Sequence, residues 1–174
     1  MSDLPPIDYA LLDRLGIGSI SFYPRSDDEP APRGARDVRV EVAPGVAVAC
    51  RFYPIDPAFP TILFFHGNGE VAGDYDELAS YYHLAGASLW VADYRGYGAS
   101  DGAPSFGALV ADAHPVLDAF HTVLDAEGFN ESRFVMGRSL GGHPALELAA
   151  RRPERLRGLI IESGATSLDR TMRA

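Results

Sequence analysis

The sequence predicts an α/β fold with a mostly parallel sheet and helices on both faces. Four short apolar runs follow one another along the chain, and a helical segment separates each run from the next. Strands that alternate with helices run parallel, because each connection returns the chain to the same end of the sheet. A β-hairpin pattern precedes the first run. With 174 residues, 47% of them hydrophobic and 22% charged, the chain can bury one core.

The first 37 residues are expected to form an extension outside this sheet. From Ile7 to Leu15, apolar residues recur at helical spacing, and Gly16 ends the pattern. We expect this short helix to dock on the domain. A short strand is expected over residues 19–23, and residues 26–36, rich in Asp, Pro, Gly and Arg, are expected to form a loop.

Residues 38–174 are expected to form the sheet domain. Apolar and polar residues alternate over residues 38–42, and a second run over 46–52 follows a Pro-Gly turn, which is typical of a β-hairpin. The later strands are expected at Thr61–Phe65, Ser88–Ala92, Arg133–Met136 and Gly158–Ile161. The helices between them are expected over residues 73–84, 106–127 and 140–151, with Pro115 kinking or splitting the second of these.

Composition excludes several classes of partner. The formal net charge is −9, and all 15 cationic residues are arginines, so nucleic acid and anionic membranes would be repelled. The single cysteine, Cys50, can form no internal disulfide, and no Cys, His, Asp and Glu cluster has metal-ligand spacing. The N-terminus carries no secretory signal pattern. We therefore expect a cytoplasmic protein with no metal or cofactor.

The sharpest motif is a glycine-rich turn around Ser139. The segment Gly137–Gly142 reads GRSLGG, directly after a predicted strand and before a helix. A G-x-S-x-G turn holds its serine in a strained bend, and glycines are needed because β-carbons there would strike nearby backbone. The Ser139 hydroxyl would be exposed, and the amide of Leu140 would face a developing negative charge. The alternative interpretation is that small residues simply permit a tight turn.

A second glycine turn, His66–Glu70, also follows a predicted strand. Residues 67–72 match G-x-G-x-x-A, and Asp93 ends the next strand, which is the pattern of a dinucleotide-binding domain. The competing interpretation is that the amide of Asn68 lies beside Ser139 as a second donor to an oxyanion. Two oxyanion donors beside an exposed serine are typical of a serine hydrolase. Only this interpretation accounts for both glycine turns together with the preceding hairpin.

Four blocks of sequence carry a resemblance to a known family. They are FFHGNGE at Phe64–Glu70, VADYRGYGASDG at Val91–Gly102, GRSLGG at Gly137–Gly142 and GLIIESG at Gly158–Gly164. In this order they resemble the α/β-hydrolase superfamily, within it the small serine hydrolases that include bud-emergence-type proteins and protein depalmitoylases. The resemblance covers roughly residues 38–165.

The resemblance implies an α/β-hydrolase fold and a hydrolase of carboxylic esters or thioesters. It implies that Ser139 is the nucleophile and that the amides of Asn68 and Leu140 hold the oxyanion. His66 and Gly67 are expected to contribute to substrate binding, and the resemblance suggests that His66 does so by shaping the loop. Arg138, beside the nucleophile, is expected either to contact an anionic substrate or to pair with a neighbouring acid.

The base and acid that activate such a serine are harder to find. In this superfamily an acid and then a histidine follow the serine, but the only later histidine is His143, on the same helix and a poor candidate. Glu162 and Asp169 are the candidate acids. The resemblance also implies two further strands after the last one predicted here, so we expect an incomplete domain of six strands. Its activity is expected to be impaired; the alternative is a catalytically silent remnant that binds a ligand or partner.

The last predicted strand would then have a bare edge. Leu159, Ile160 and Ile161 lie on this strand. An unpaired apolar edge invites pairing with another chain, so self-association is expected.

Overall fold

The computed structural model describes residues 9–16 and 18–163, and it contains one mixed sheet of six strands in the order β1-β2-β4-β3-β5-β6. The hairpin β1–β2 is antiparallel, β2 joins β4 antiparallel, and β4, β3, β5 and β6 run parallel. The strands are β1 (Arg36–Ala43), β2 (Val46–Tyr53), β3 (Thr61–Phe65), β4 (Ser88–Ala92), β5 (Arg133–Arg138) and β6 (Gly158–Glu162). This confirms the mostly parallel α/β fold with an antiparallel start.

Helices cover both faces of the sheet. They are α1 (Ala10–Arg14), α2 (Gly18–Ser21), α3 (Ala79–Leu84), α4 (Phe106–Ala111), α5 (Ala113–Ala126) and α6 (Gly142–Arg151), with 3₁₀ turns at Ala72–Tyr75, Ser139–Gly141 and Pro153–Arg155. One core, around Trp90, Leu117 and Phe120, fills the face covered by α4, α5 and α6. The other, around Phe64 and Leu89, lies on the face covered by α3. Every residue of β3 and β4 is buried, which explains their continuous apolar runs.

Two predicted helices are each interrupted. The helix expected over residues 73–84 is a 3₁₀ turn followed by the shorter α3. The helix expected over 106–127 splits at Asp112 into α4 and α5. Pro115 lies in the first turn of α5, where its missing N–H leaves the carbonyl of Ala111 without a helical partner, so the predicted split is confirmed.

The N-terminal extension docks on α4, as expected of its helix. The Asp13 carboxylate accepts hydrogen bonds from the amides of Phe106 (2.8 Å) and Gly107 (2.9 Å) at the start of α4. The strand expected over residues 19–23 is wrong, because Gly18–Ser21 is helical and Phe22 turns inward to pack on the Phe106 ring at 4.9 Å between centroids. Among the described helices, none combines the length and apolar character needed to cross a membrane.

One side of β6 lies at the end of the sheet. Within residues 9–16 and 18–163, β6 pairs only with β5, and its free edge has no neighbouring strand. The side chains of Leu159 and Ile160 are 37% and 40% exposed. The expected bare edge is therefore present in the described part of the chain.

Candidate active site

Ser139 occupies a sharp bend at the carboxyl end of β5. The residue is exposed, and its φ of 51° lies in the left-handed region that L-residues seldom adopt. This conformation costs roughly 1–2 kcal/mol, so the surrounding packing must hold it in place. The next residues form the 3₁₀ turn Ser139–Gly141, from which α6 continues. We call Gly137–Gly142 the serine turn.

Two glycines allow the serine turn to close. A β-carbon on Gly137 would lie 2.2 Å from the carbonyl oxygen of Gly141, and one on Gly141 would lie 1.9 Å from that of Phe65. Gly141 has an ordinary φ of −63°, so close approach rather than backbone conformation requires glycine there. The serine turn therefore lies directly against the end of β3, where the second glycine turn begins. We call that segment, His66–Glu70, the asparagine turn.

The amide of Asn68 is the one in the asparagine turn that follows the buried Gly67 and lies nearest the tip. The amide of Gly67 donates to Glu70 Oε2 at 2.8 Å, and that of Glu70 donates to the Gly67 carbonyl at 3.3 Å. Within the described parts of the chain, the amides of Asn68 and Leu140 have no protein acceptor. Unpaired amides next to an exposed hydroxyl can stabilise an oxyanion that forms on a bound carbonyl group.

The Asn68 side chain fastens the N-terminal extension to this turn. Its Oδ1 accepts hydrogen bonds from the amide of Tyr23 (3.0 Å) and from the Tyr97 hydroxyl (2.7 Å). Its Nδ2 donates to the Ser21 carbonyl at 2.6 Å. Sequence reasoning missed Tyr23 and Tyr97, because both lie far from Asn68 along the chain; Tyr97 belongs to the block Val91–Gly102, but nothing in that block indicates a contact with Asn68.

His66 is fully buried beneath the asparagine turn. Its Nδ1 lies 2.8 Å from the Gly67 carbonyl, and its Nε2 lies 3.0 Å from Asp93 Oδ1. The Tyr94 hydroxyl donates to the His66 carbonyl at 2.6 Å. His66 and Gly67 are both predicted to contribute to substrate binding; in the structure both are buried, and their polar groups have protein partners. They shape the turn instead.

Asp93 is also buried, which argues against the dinucleotide alternative. The residue is 5% exposed, and its Oδ1 accepts both His66 Nε2 and the amide of Ala72 at 2.8 Å. The β-carbon that Gly98 lacks would lie 2.1 Å from Asp93 Oδ2, so the backbone encloses the other oxygen. This carboxylate cannot receive a ribose hydroxyl without leaving its protein partners.

Arg138 pairs with carboxylates on both sides. Its Nη1 lies 3.0 Å from Glu70 Oε1, and its Nε lies 3.7 Å from Glu162 Oε1 at the end of β6. A hydrogen bond with Tyr75 and the charge of Glu70 raise the pKa of the Arg138 guanidinium. Arg138 is expected either to contact an anionic substrate or to pair with a neighbouring acid, and the structure contains the ion pair. Glu162 lies at the predicted edge, 48% exposed, but its partner is Arg138.

The histidines lie elsewhere. All five fall within the described residues, and no hydrogen bond or ion pair joins any of them to Ser139 or Glu162. Four of the five histidines have other protein partners. His66 pairs with Asp93, His83 with the Tyr53 carbonyl, His114 with Glu147 and His121 with Arg133. His143 is half-buried on α6, and burial lowers its pKa. Asp169 lies outside the described residues. The site thus holds a candidate nucleophile and candidate oxyanion donors without a paired base.

The chain is similar in sequence to a family model and to proteins of the α/β-hydrolase family. Residues 56–174 match the family described as serine aminopeptidase, S33. The α/β-hydrolase domain-containing protein WAV2 of Arabidopsis thaliana is 33% identical over 136 residues, which is 76% of this chain and 43% of WAV2. Protein bem46 of Schizosaccharomyces pombe is 32% identical over 111 residues, which is 63% of this chain and 36% of bem46. The chain spans less than half the length of both relatives.

A solved structure has a similar arrangement of strands and helices. The predicted CIB-like hydrolase from Thermoplasma acidophilum superposes with a TM-score of 0.57 at 25% sequence identity. The superposition covers 80% of this chain and 68% of that one. The likeness extends over most of the sheet domain.

Proposed function

Because the chain belongs to the serine aminopeptidase S33 family, within the α/β-hydrolase superfamily, we propose that it is a serine hydrolase of carboxylic esters or thioesters. The conformation of Ser139 carries this proposal. An exposed serine held at a φ of 51° between two close-packed glycines is a costly arrangement, and strain of this kind is typical of positions where it serves a reaction. A tight turn made only for packing would place glycine there.

The proposed reaction proceeds through an acyl-serine intermediate. The Ser139 oxygen attacks the substrate carbonyl carbon and gives its proton to solvent water, and the carbonyl oxygen becomes a negatively charged oxyanion. The amides of Asn68 and Leu140 donate hydrogen bonds to this oxyanion. Collapse of the tetrahedral intermediate breaks the bond to the leaving group, which departs as an alkoxide or thiolate and then takes a proton from solvent. Water then attacks the acyl-serine and releases the carboxylic acid.

The lack of a histidine beside Ser139 favours substrates with good leaving groups. Expulsion of an amine requires a general acid to protonate it, whereas an activated alkoxide or a thiolate can leave without one. Hydrolases stripped of their triad retain about 10³- to 10⁴-fold acceleration over water from the oxyanion donors and substrate binding. We expect slow turnover of this order from the 174-residue chain.

A second candidate is a catalytically silent protein that binds a ligand or partner. The observation that favours this candidate is that none of the five histidines is paired with Ser139. In this case the Ser139 hydroxyl would remain unreactive, although the fold is that of a hydrolase.

A fluorophosphonate probe separates the two candidates. We expect covalent labelling of the wild-type chain, at Ser139 by peptide mass mapping, and none in Ser139→Ala. Ser80→Ala, which removes another exposed hydroxyl on α3, should label like the wild type. A folded wild-type chain that takes up no probe would refute the hydrolase proposal and favour the silent one.

A further inference from the structure

Glu70 joins three groups around the asparagine turn. Its Oε2 accepts a hydrogen bond from the amide of Gly67 at 2.8 Å and from the Tyr75 hydroxyl at 2.7 Å. Its Oε1 lies 3.0 Å from Arg138 Nη1. Both oxygens of this carboxylate are therefore engaged, and its side chain is 24% exposed. Charge-assisted hydrogen bonds of this kind are stronger and more directional than neutral ones.

The partners of Glu70 belong to separate parts of the fold. Gly67 immediately precedes Asn68, whose amide is a candidate oxyanion donor. Arg138 immediately precedes Ser139. Tyr75 lies on the 3₁₀ turn that follows the asparagine turn and is buried. Burial, then its hydrogen bond to Glu70, raises the pKa of the Tyr75 hydroxyl above the usual range. The Glu70 carboxylate thus links Arg138, which precedes the candidate nucleophile Ser139, to Gly67, which precedes Asn68.

The serine turn also approaches the start of the asparagine turn through backbone, where a β-carbon on Gly141 would lie 2.8 Å from the His66 carbonyl oxygen. Gly141 lies against the carbonyl of Phe65 at the end of β3, before the chain bends into the asparagine turn. That contact locates the base of the asparagine turn but not its tip. The tip at Asn68 is held by its side chain on the N-terminal extension and by the bond between Gly67 and Glu70.

We propose that the Glu70–Arg138 ion pair positions the amide of Asn68 relative to the hydroxyl of Ser139. Glu70 and Arg138 are positioning residues in this account, since neither contacts the reacting atoms. The proposal rests on the proposed hydrolase function. Breaking the pair should reduce reaction at Ser139 while leaving the binding of a neutral substrate unchanged.

The competing role for Arg138 is direct binding of an anionic substrate. Arg138 already lies between two carboxylates, at 3.0 Å and 3.7 Å, so an anion would have to displace one of them. The two roles predict different kinetics. A binding role would raise the substrate concentration needed for half-saturation, and only for anionic substrates, whereas a positioning role lowers the rate constant for every substrate.

The test compares Arg138→Gln, Glu70→Gln and the double variant. With a neutral fluorophosphonate, we expect the limiting labelling rate constant to fall about tenfold in each single variant, with the half-saturating concentration unchanged. The double variant should be no slower than the singles, because both remove the same interaction. Arg138→Lys should recover part of the rate, since lysine keeps the charge but loses the two-pronged geometry.

Hydrogen exchange of the asparagine turn provides a readout that does not need activity. We expect exchange in a peptide covering residues 66–71 to quicken about tenfold in Arg138→Gln, because the Gly67 amide loses the anchor of its acceptor. Arg152→Gln is the control, since it breaks an ion pair with Asp118 at 2.9 Å on α5, away from both turns. It should change neither readout.

The two proposals fail in different ways. A wild-type chain that is never labelled refutes the hydrolase function, and exchange then decides alone whether the ion pair holds the turn. Unchanged exchange in both Arg138→Gln and Arg138→Lys, with intact thermal unfolding, would overturn the positioning proposal. So would additive losses of labelling rate in the double variant.

Discussion

Gly141 in the serine turn and Phe65 at the end of β3 approach so closely that a β-carbon on the glycine would lie 1.9 Å from the Phe65 carbonyl oxygen. This contact brings the serine turn against the asparagine turn, and it involves backbone on both sides. Neither segment can yield by changing a side-chain rotamer. The contact therefore makes a specific demand on residue 141.

We expect Gly141→Ala to destabilise the domain by about 3 kcal/mol or more, because the overlap forces backbone apart. Gly128→Ala is the matched control: Gly128 has a φ of 75° but open space around its α-carbon, so only the left-handed conformation is penalised, by about 1 kcal/mol. Urea unfolding of both variants gives the comparison. Equal losses in the two variants would show that the close approach is not tight.

The Asn68 side chain should hold the N-terminal extension in place. Asn68→Ala removes its hydrogen bonds to Ser21, Tyr23 and Tyr97; we expect a loss of about 2 kcal/mol and faster hydrogen exchange over residues 21–25. Asn130→Ala removes a similar set of loop hydrogen bonds, to Ala58 and Ser132, on another part of the surface. It should leave exchange over residues 21–25 unchanged. The same exchange in both variants would contradict the role given to Asn68.

Acid should weaken the fold through His121. Arg133 donates to His121 Nδ1 at 2.6 Å, and burial, together with the charges of Arg155 and Arg133, lowers the pKa of His121 to about 4. The unfolded chain binds this proton below about pH 6.5, so lower pH favours the unfolded state. Between pH 7 and pH 5 the free energy of unfolding should fall by about 2 kcal/mol more in the wild type than in His121→Gln.

Urea titrations at the two pH values measure this difference. Glutamine can still accept the hydrogen bond from Arg133 but cannot take up a proton, so the variant separates the charge from the contact. Parallel pH dependence in the two proteins would mean that His121 is protonated as readily in the fold as outside it.

Strand positions could be predicted because burial on both faces of β3 and β4 leaves a continuous apolar run in the sequence. The serine turn could be predicted because its glycines are dictated by backbone contacts. Three other features depend on residues from distant segments, and no local pattern encodes them. They are the ion pair of Arg138 with Glu70, the hydrogen bonds of the Asn68 side chain to the N-terminal extension, and the burial of His66. The prediction of a strand over residues 19–23 was wrong for a related reason: Phe22 packs against Phe106 on α4 rather than joining the sheet.

Charge around Ser139 should set a preference among esters. Glu70, Arg138 and Glu162 carry two negative charges and one positive charge, and Arg138 is already paired with both acids. If the proposed hydrolysis holds, we expect p-nitrophenyl butyrate to acylate the chain about tenfold faster than the p-nitrophenyl monoester of succinate at low salt. The gap should narrow in high salt and in Glu162→Gln. A faster reaction with the succinate ester would contradict this charge argument.

The free edge of β6 should promote self-association. Leu159 and Ile160 are exposed there on opposite faces of the strand, and a lysine at an edge discourages pairing between chains. We expect the wild type to form dimers or larger species by sedimentation velocity, and Ile160→Lys to shift it toward monomer. Leu84→Lys, which changes an exposed leucine on α3, should have no such effect. A monomeric wild type at high concentration would rule out this edge as an association surface.

The strand order also determines when each strand can pair with its neighbours during synthesis. During synthesis, β2 and β3 leave the ribosome before β4, yet β4 is the strand that separates them in the finished sheet. β3 must also wait for β5, which emerges after α4 and α5. The nascent Thr61–Phe65 segment, whose residues are all buried in the finished fold, therefore lacks both neighbours until β4 emerges and one of them until β5 emerges, and during this interval its apolar residues are open to aggregation.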